Sequence, residues 1–516
     1  MVLNRGNGLR KRERSAILQY MANLYAVGVS SVFPFIVRTL LIRFIGIEYV
    51  GVSSLFGSVL QVLSVADFGL TTALAWFLYK PAELDDHEAI NSRMIYFRKL
   101  FHKVGTVVLL AGLMVVPFLP MMVKGKEYPA GLNIYVVYLC YLLQTSLYYL
   151  LNSHLQTVFS AYLKGYIIYL ISGTSVLFMY ILQILSIVIW KNYYLYTALL
   201  LAATLIQCVL YAILTKKIFP WINLSGVEDA NVKKDLKDKL AALFLSKIRN
   251  VSRNSFDSLI ISMFFGLKIL AEYQNYYQVM IVPLMFTTIV RTAIQPSLGN
   301  GIAVESVESN YGILKQYLFI NHFIETICAS CLISLLQPFM KLWVGEKLLL
   351  SNDVVISLTI YYYALCLAEG SVMLRETTGI WREGRWVAVV EAISNLILNI
   401  ILARFLGLFG IVLATIVTVV LVNIPLESYY VFRGYFKGYY RDYLMRLVSY
   451  SGISLWIVAI SYYLCLKIVI VDATTALVRV LASAAIPTIL LSITHMKKEE
   501  MKTMMGTVNR IREKLP

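Results

Sequence analysis

Charged residues are scarce in this chain of 516 amino acids. Asp, Glu, Lys and Arg account for 15% of the residues, whereas soluble domains carry roughly 25%. Hydrophobic residues reach 59%, and the mean hydropathy is +0.71. With so few polar side chains, water could not cover the whole folded surface. The composition therefore excludes an ordinary soluble protein and predicts that lipid surrounds much of the chain.

Acidic residues are particularly few, since 29 Asp and Glu stand against 46 Lys and Arg and leave a net charge of +17. An excess of basic residues is expected on the cytoplasmic loops of a membrane protein and next to anionic headgroups. Nucleic acid is excluded as a partner, because no basic cluster belongs to a soluble segment large enough to fold.

Signatures of enzymes and metal sites are also missing. There is no P-loop, no ATPase or zinc motif, and no aspartate pair on a loop suited to a glycosyltransferase. Cys328 and Cys331 have the CxxC spacing, but they lie in an apolar run without a second ligand pair, so we interpret them as core residues. We therefore predict no enzyme, no bound metal and no cofactor; H⁺ or Na⁺ as a coupling ion stays open.

Long apolar runs are what the sequence does have. A helix that crosses the membrane needs about 20 mostly apolar residues, and that length predicts an all-α polytopic membrane protein of about fourteen transmembrane helices. The predicted spans are Tyr20–Ile42, Val50–Trp76, Val104–Val123, Leu132–Leu151, Tyr166–Trp190, Tyr194–Leu214, Ala242–Gly266, Tyr273–Leu298, Gln316–Phe339, Val354–Ile380, Trp386–Ala403, Leu408–Tyr430, Val448–Leu466 and Ala473–Ile493.

The order of these spans predicts four segments. A six-helix bundle at 1–214 is followed by a polar cytoplasmic linker at 215–241 and a second six-helix bundle at 242–430. Two additional transmembrane helices and a basic tail occupy 431–516. Lys and Arg concentrate in the N-terminal tail, in alternate loops and in the C-terminal tail. By the positive-inside rule, this distribution predicts a protein of the inner (cytoplasmic) membrane with both termini in the cytoplasm.

Ionisable residues at membrane depth are the candidate functional groups, because burying them in lipid is costly. Predicted span seven carries Arg249, Arg253 and Asp257 at intervals of four residues, so that they share one face of a helix. Such a face points toward a cavity or toward neighbouring helices. The alternative for Arg249 is that the span begins later and that its side chain reaches the headgroups.

Predicted spans eight and ten add two further arginines at the same depth. Span eight has Thr287, Arg291 and Gln295 on one face, and span ten ends with Glu369, Arg375 and Glu376. The arginines outnumber the nearby carboxylates, which predicts an anionic ligand, since the guanidinium fork matches phosphate oxygens. Structural ion pairs between helices are the alternative. The predicted anion-binding residues are Arg249, Arg253, Arg291 and Arg375.

A second set of ionisable residues has roles that the sequence leaves open. In the first bundle, Arg38 lies on the polar face of span one and Asp67 ends a polar stripe on span two. Asp67 is either an ion-coupling group or the counter-charge of an arginine on another helix. The complete set of candidate cavity or coupling residues is Arg38, Asp67, Asp257, Glu369 and Glu391.

Three long strings resemble bacterial polysaccharide repeat-unit flippases of the Wzx type. They are GIEYVGVSSLFGSVLQVLSVADFGLTTALAWFLYKPAELDD at 46–86, FDSLIISMFFGLKILAEYQNYYQVMI at 256–281, and GIWREGRWVAVVEAISNLILNIILARFLGLFGIVLATIV at 379–417. These flippases belong to the multidrug/oligosaccharidyl-lipid/polysaccharide exporter superfamily. The resemblance implies a V-shaped pair of six-helix bundles around a cationic cavity, plus two C-terminal helices that in a related lipid-linked precursor flippase form a groove for the lipid tail.

The resemblance also implies a substrate and partners. An undecaprenyl-pyrophosphate-linked oligosaccharide for O-antigen, capsule or exopolysaccharide would be turned from the cytoplasmic to the outer leaflet by alternating access. Membrane lipids, a polymerase and other assembly proteins are the implied partners. Three alternatives remain: a cation-coupled multidrug exporter of the same superfamily, disfavoured by the arginines; a membrane polysaccharide polymerase, disfavoured by the short outer loops; and a scaffold, which would need no buried charge.

Overall fold

The computed structural model describes residues 2–64, 70–126, 128–151, 153–226, 252–380, 383–384, 386–503 and 506. Every regular element within these ranges is a helix, which confirms the predicted all-α class. In the first half the α-helices are α1 Val2–Phe44, α2 Ile47–Leu63, α3 Leu70–Glu83, α4 His87–Val115, α5 Ile134–Leu150, α6 Gln156–Ala161, α7 Gly165–Leu185 and α8 Tyr193–Ile218.

The second half continues after a π-helical turn at Ser252–Phe256. Its α-helices are α9 Asp257–Phe265, α10 Leu267–Met280, α11 Leu284–Val304, α12 Val307–Val344, α13 Asn352–Thr378, α14 Val387–Thr418, α15 Ile424–Gly434, α16 Tyr440–Leu466 and α17 Ala473–His495. Polar side chains begin several of them: Asp472, for example, accepts a hydrogen bond from the backbone N–H of Thr475 and so caps α17.

By its internal contacts the chain divides into two units, Met1–Ala271 and Glu272–Pro516. In the first unit, α1 packs on α7, α4 on α5, and α8 on both α5 and α7. The short helix α9 packs on α2 in the same unit. Gly51 permits the close approach of α2 to the start of α10, because a Cβ at position 51 would lie 2.3 Å from the carbonyl oxygen of Leu267. The domain boundaries at 214 and 241 stay predictions, and residues 227–251 lie outside the described ranges.

The second unit is organised around α12, which packs on α11, α13, α16 and α17. Aromatic side chains fill its core: Tyr317, Phe319, Phe432, Tyr443 and Tyr450 are all buried in one hydrophobic cluster. The outer faces of the two C-terminal helices are apolar instead, and Leu455, Trp456 and Leu481 are largely exposed. An apolar outer face suits lipid rather than water, so α16 and α17 have the surface expected of membrane-spanning helices.

Nine described helices are long and apolar enough to cross a membrane, or up to eleven if two bent pairs each form one span. The chain is therefore a multi-pass membrane protein, while the count of fourteen stays a prediction. One difference arises near Pro283, where the predicted eighth span is split into α10 and α11, bent by 42°. Residues 65–69, within the predicted second span, lie outside the described residues.

The longest apolar stretch, Val387–Gly434, contains two predicted spans. The backbone leaves helical geometry at Gly407, whose φ of +63° and ψ of −142° are available to glycine at little cost. A break at this position agrees with the predicted end of span eleven at Ala403 and the predicted start of span twelve at Leu408.

Candidate functional site

Arg291 is the centre of a cluster of charged and polar side chains in the second unit. It extends from α11 toward two carboxylates on α13: its Nε lies 2.9 Å from Glu369 Oε2, and its Nη1 donates to Glu376 Oε2 at 2.9 Å. Gln295, one turn further along α11, also donates to Glu376 Oε2 at 3.0 Å. Arg291 and Gln295 therefore share a helix face, as their spacing of four residues predicts.

The Arg291 cluster is partly accessible. The exposed fractions of the Arg291, Glu369 and Glu376 side chains are 17%, 22% and 32%. Each of these groups keeps some contact with the surroundings, so an exchange of partners does not require the packed core to open. Chemically, this cluster is a guanidinium that two carboxylates hold in place, and all three side chains are partly exposed.

Arg375 lies in a different environment, although it is next to Glu376 in the chain. Its Nη1 donates to Glu427 Oε1 on α15 at 2.6 Å, and the exposed fractions of the two side chains are 7% and 0%. A buried arginine requires such a partner, because an unpaired charge in the interior is strongly destabilising. The structure therefore places Arg375 and Arg291 in separate ion pairs, with Arg375 closed to approach.

Glu427 was not singled out by the sequence analysis. When Glu427 is included, the two described arginines of this region, Arg291 and Arg375, face three carboxylates rather than two. The excess of positive charge counted from the sequence is thus compensated here, in line with the structural ion pairs that were left as the alternative. The signal was present, because Glu427 is an ionisable residue inside predicted span twelve.

Arg253 and Asp257 belong to the first unit. Arg253 lies on the π-helical turn before α9, Asp257 begins α9, and both side chains are buried. Between them, the Ser255 hydroxyl donates to Gln61 Oε1 on α2 at 3.0 Å. Ser255 lies on the side of the helix opposite Arg253 and Asp257, so it is this opposite side that contacts the polar stripe of span two. Arg249 lies outside the described residues.

Arg38 also belongs to the first unit and bonds to that same stripe of α2. Its Nη2 donates to the Ser54 hydroxyl at 3.0 Å. Asp67, the other candidate of the first bundle, lies outside the described residues, so both interpretations of its role stay predictions.

Glu391 lies on α14 in the second unit and is almost fully buried. Its Oε2 accepts a hydrogen bond of 2.8 Å from Asn423 Nδ2. One turn further along α14, Asn395 donates to the hydroxyl of Thr415 at 3.0 Å. These bonds stabilise the turn around Gly407, so the contacts of Glu391 are those of a structural residue. A role of Glu391 in ion coupling stays a prediction. Among the described residues, no three His, Cys, Asp or Glu side chains are grouped so that they could hold a metal ion.

A cavity of about 410 Å³ lies between α12, α13, α16 and α17. Its wall is largely apolar, with Arg479 and Lys341 as its charged members. Representative wall residues are Ile333, Pro338, Val355, Leu466 and Ile470. The cavity therefore offers an apolar lining formed in part by the two C-terminal helices.

No protein-family model and no curated protein sequence matches the chain. Several solved structures do match the chain. The lipid II flippase MurJ in an inward closed conformation aligns with a TM-score of 0.64 at 14% identity, covering 93% of this chain and 98% of that chain. An inward-facing multidrug resistance MATE family transporter of the MOP superfamily aligns with a TM-score of 0.63 at 12% identity, covering 83% and 99%.

A Vibrio cholerae MATE transporter gives a TM-score of 0.53 at 15% identity and covers 83% of this chain and 99% of that chain. At identities this low, the likeness establishes the fold. The chain therefore has the fold that MurJ and these MATE transporters share.

Proposed function

We propose that this protein is a flippase that turns an undecaprenyl-pyrophosphate-linked oligosaccharide from the cytoplasmic to the outer leaflet of the bacterial inner membrane. The observation that carries the proposal is the Arg291 cluster, a partly accessible guanidinium held between Glu369 and Glu376. The likeness in fold to a lipid II flippase supports it. The product would supply O-antigen, capsule or exopolysaccharide assembly, with a polymerase and other assembly proteins as partners.

Arg291 is the proposed contact for the pyrophosphate. Its planar fork can give two parallel hydrogen bonds to phosphate oxygens. The two glutamates keep the side chain extended while the site is empty, and the ligand oxygens then replace one of them. Arg249 and Arg253 are proposed as further contacts in another stage of the cycle, in which the two bundles rock about the headgroup.

The two C-terminal helices are the proposed support for the lipid tail. The apolar cavity at α16 and α17 has walls that suit a polyprenyl chain. The alignment with MurJ covers 93% of this chain, against 83% for the inward-facing MATE transporter. A tail held there would stay in an apolar environment while the headgroup crosses.

The proposed driving force is the membrane potential acting on the anionic headgroup. With both termini in the cytoplasm and the inside negative, outward movement of an anion gains about 2.3 kcal/mol per charge per 100 mV. Coupling to H⁺ or Na⁺ would add to the free energy that the membrane potential supplies.

Complementation of a flippase-null strain tests the proposal. Wild-type protein is expected to restore surface polymer, and Arg291→Ala is expected to abolish it while the variant still accumulates in the membrane. Arg404→Ala is the matched control, since Arg404 is an exposed arginine on α14 that belongs neither to the Arg291 cluster nor to the wall of the apolar cavity. Normal polymer in Arg291→Ala at wild-type protein levels would contradict the proposal.

A cation-coupled multidrug exporter is the second candidate function. One observation favours it: Glu369, Glu376 and Glu427 outnumber Arg291 and Arg375 in the second unit. Partly exposed carboxylates would suit a cationic drug. In that case Glu369→Gln would abolish resistance to a cationic dye in a strain lacking its own exporters. Under the flippase proposal, dye resistance does not change with expression of the wild-type protein.

A further inference from the structure

Glu325 is a carboxylic acid in the middle of α12 that neither the proposed site nor the sequence analysis uses. Its exposed fraction is 3%. No hydrogen bond or ion pair joins its carboxyl to any described residue, whereas Glu369, Glu376 and Glu427 all contact an arginine. Glu325 thus differs from these three carboxylates of the second unit in being buried without such a contact.

A small cavity lies beside Glu325, and several of the side chains that line it are polar. It measures about 10 Å³, and its lining includes Tyr317, Asn321, His322, Tyr363 and Cys366. That volume is at the lower limit of the space one water molecule needs. A water placed there would find the two or more polar partners that buried water requires.

The neighbours of the Glu325 carboxyl are neutral. Tyr317 on its own helix and Tyr363 and Cys366 on α13 line the same cavity as Glu325. The arginines of α11 and α13 have other partners, since Arg291 contacts Glu369 and Glu376 and Arg375 contacts Glu427. An ionised Glu325 would therefore lack a counter-charge, and such burial favours the neutral acid.

A further group of charged side chains lies near the end of α17. Arg446 on α16 pairs with Asp442 and with Glu500, and the Lys498 ammonium lies 4.8 Å from the centre of the Tyr450 ring. Each of these groups has its own partner or faces Tyr450. None of them has a described contact with Glu325.

Two histidines connect the cavity with that end of α17. His322 lines the cavity, and its Nε2 lies 3.0 Å from Nε2 of His495, the last residue of α17. The other ring nitrogen of His322 lies 3.1 Å from the Ser454 hydroxyl. One Nε2 donates and the other accepts, so a ring that has taken up an extra proton, as imidazolium, can pass that proton to the neutral ring beside it.

We propose that Glu325 is a proton-binding site, loaded through the cavity and the His322–His495 pair. In loading, an O–H bond forms at the carboxylate while the bond from the donating water or imidazolium to the same proton breaks, and no electrons are transferred. Unloading is the reverse. The inference of a proton-binding site does not depend on which substrate the chain transports. Its use to drive transport rests on the proposed function.

Infrared spectroscopy of the purified full-length protein in lipid nanodiscs tests the site directly. The wild-type protein is expected to show the C=O stretch of one buried carboxylic acid, which is lost as the pH is raised. Glu325→Gln keeps the shape and is expected to lose the band at every pH. Glu369→Gln is the matched control and is expected to keep it, because Glu369 is paired with Arg291.

Three results would overturn the proposal: no such band in the wild-type protein, the same band retained in Glu325→Gln, or a band that does not titrate while the protein stays folded. Glu325→Asp guards against misfolding, since it is expected to retain an acid band with a shifted frequency. His322→Gln is expected to slow hydrogen–deuterium exchange of the band, and an unchanged exchange rate would contradict the loading route.

The proposed function and the proton site fail in different ways. If wild-type protein moves no lipid-linked sugar in vesicles but the Glu325 band titrates, the flippase proposal is wrong and the proton site stands. If flipping occurs with the same pH dependence in wild-type protein and in Glu325→Gln, the site does not drive transport.

Discussion

Arg291 and Arg375 lie on neighbouring helices of the second unit, and each meets a glutamate at hydrogen-bonding distance. The two ion pairs differ in how far their side chains are exposed. Arg291 and its two carboxylates keep between 17% and 32% of their side chains exposed, whereas Arg375 and Glu427 are enclosed by α13 and α15. A partly solvated ion pair is weak and can exchange partners, while a buried pair cannot be opened without a large loss. Under the proposed function, ligand exchange belongs to Arg291, and we expect Arg375 to contribute stability.

Removal of Arg375 should give the largest effect on stability. Arg375→Ala leaves Glu427 buried without its guanidinium partner, and such a loss typically costs about 3–5 kcal/mol. We expect a marked fall in the unfolding temperature and in the amount of protein in the membrane. The control is Arg375→Met combined with Glu427→Leu, which removes both charges and should recover much of the loss. If Arg375→Ala were as stable as the wild-type protein, the buried Arg375 pair would not differ from the Arg291 pair in its contribution to stability.

Replacement of Arg291 by lysine should affect transport and leave stability nearly unchanged. Lysine keeps the charge but loses the fork that binds two phosphate oxygens, which we expect to reduce flipping by about tenfold, or about 1.4 kcal/mol. The rate is measured in vesicles with a pyrophosphate-linked lipid, and the unfolding temperature serves as the control. A large fall in unfolding temperature would mean that Arg291, like Arg375, is structural.

A smaller effect is expected at Glu376. Glu376→Gln removes one of the two carboxylates that compete with a phosphate for Arg291 and keeps the size of the side chain. We expect tighter binding of a pyrophosphate lipid, by a few-fold, and a change in unfolding free energy of less than about 1 kcal/mol. Titration calorimetry with the short-chain lipid measures the affinity. Weaker binding would instead favour a cationic ligand.

The smallest effect is expected at the exposed pair of Lys341 and Glu346. Their side chains are 60% and 69% exposed, so water and salt screen the attraction. Glu346→Gln should leave both the unfolding temperature and the transport rate at wild-type values. A measurable loss in either would show that exposure is a poor guide to the role of an ion pair in this chain.

Local features of the sequence were sufficient for much of the fold. Helix α17, Ala473–His495, begins at the predicted residue and ends two residues beyond the predicted one, because a long apolar run has few alternatives to a helix in lipid. The shared face of Arg291 and Gln295 follows from helical periodicity. The bend between α10 and α11 was not predicted, although Pro283 lies at the break and its ring disfavours a continuous helix.

The candidate site was predictable in composition but not in pairing. The rule that ionisable residues in apolar spans are exceptional selected Arg291, Arg375 and Glu369. Applied to every span, the same rule would also have selected Glu325 and Glu427. It could not have shown that Glu427 neutralises Arg375, because the two residues are 52 positions apart and meet only through the packing of α13 against α15.

The sequence by itself determined that this protein is helical, lies in a membrane and carries costly charges there, since hydropathy and helical periodicity are local properties of the chain. Only the tertiary structure decided which of those charges neutralise one another and which stay accessible. The physical reason is that the free energy of a buried charge depends on partners and solvent within a few ångströms, and packing brings those partners from distant parts of the chain. Arg291 and Arg375, alike in the sequence, differ in the structure for that reason.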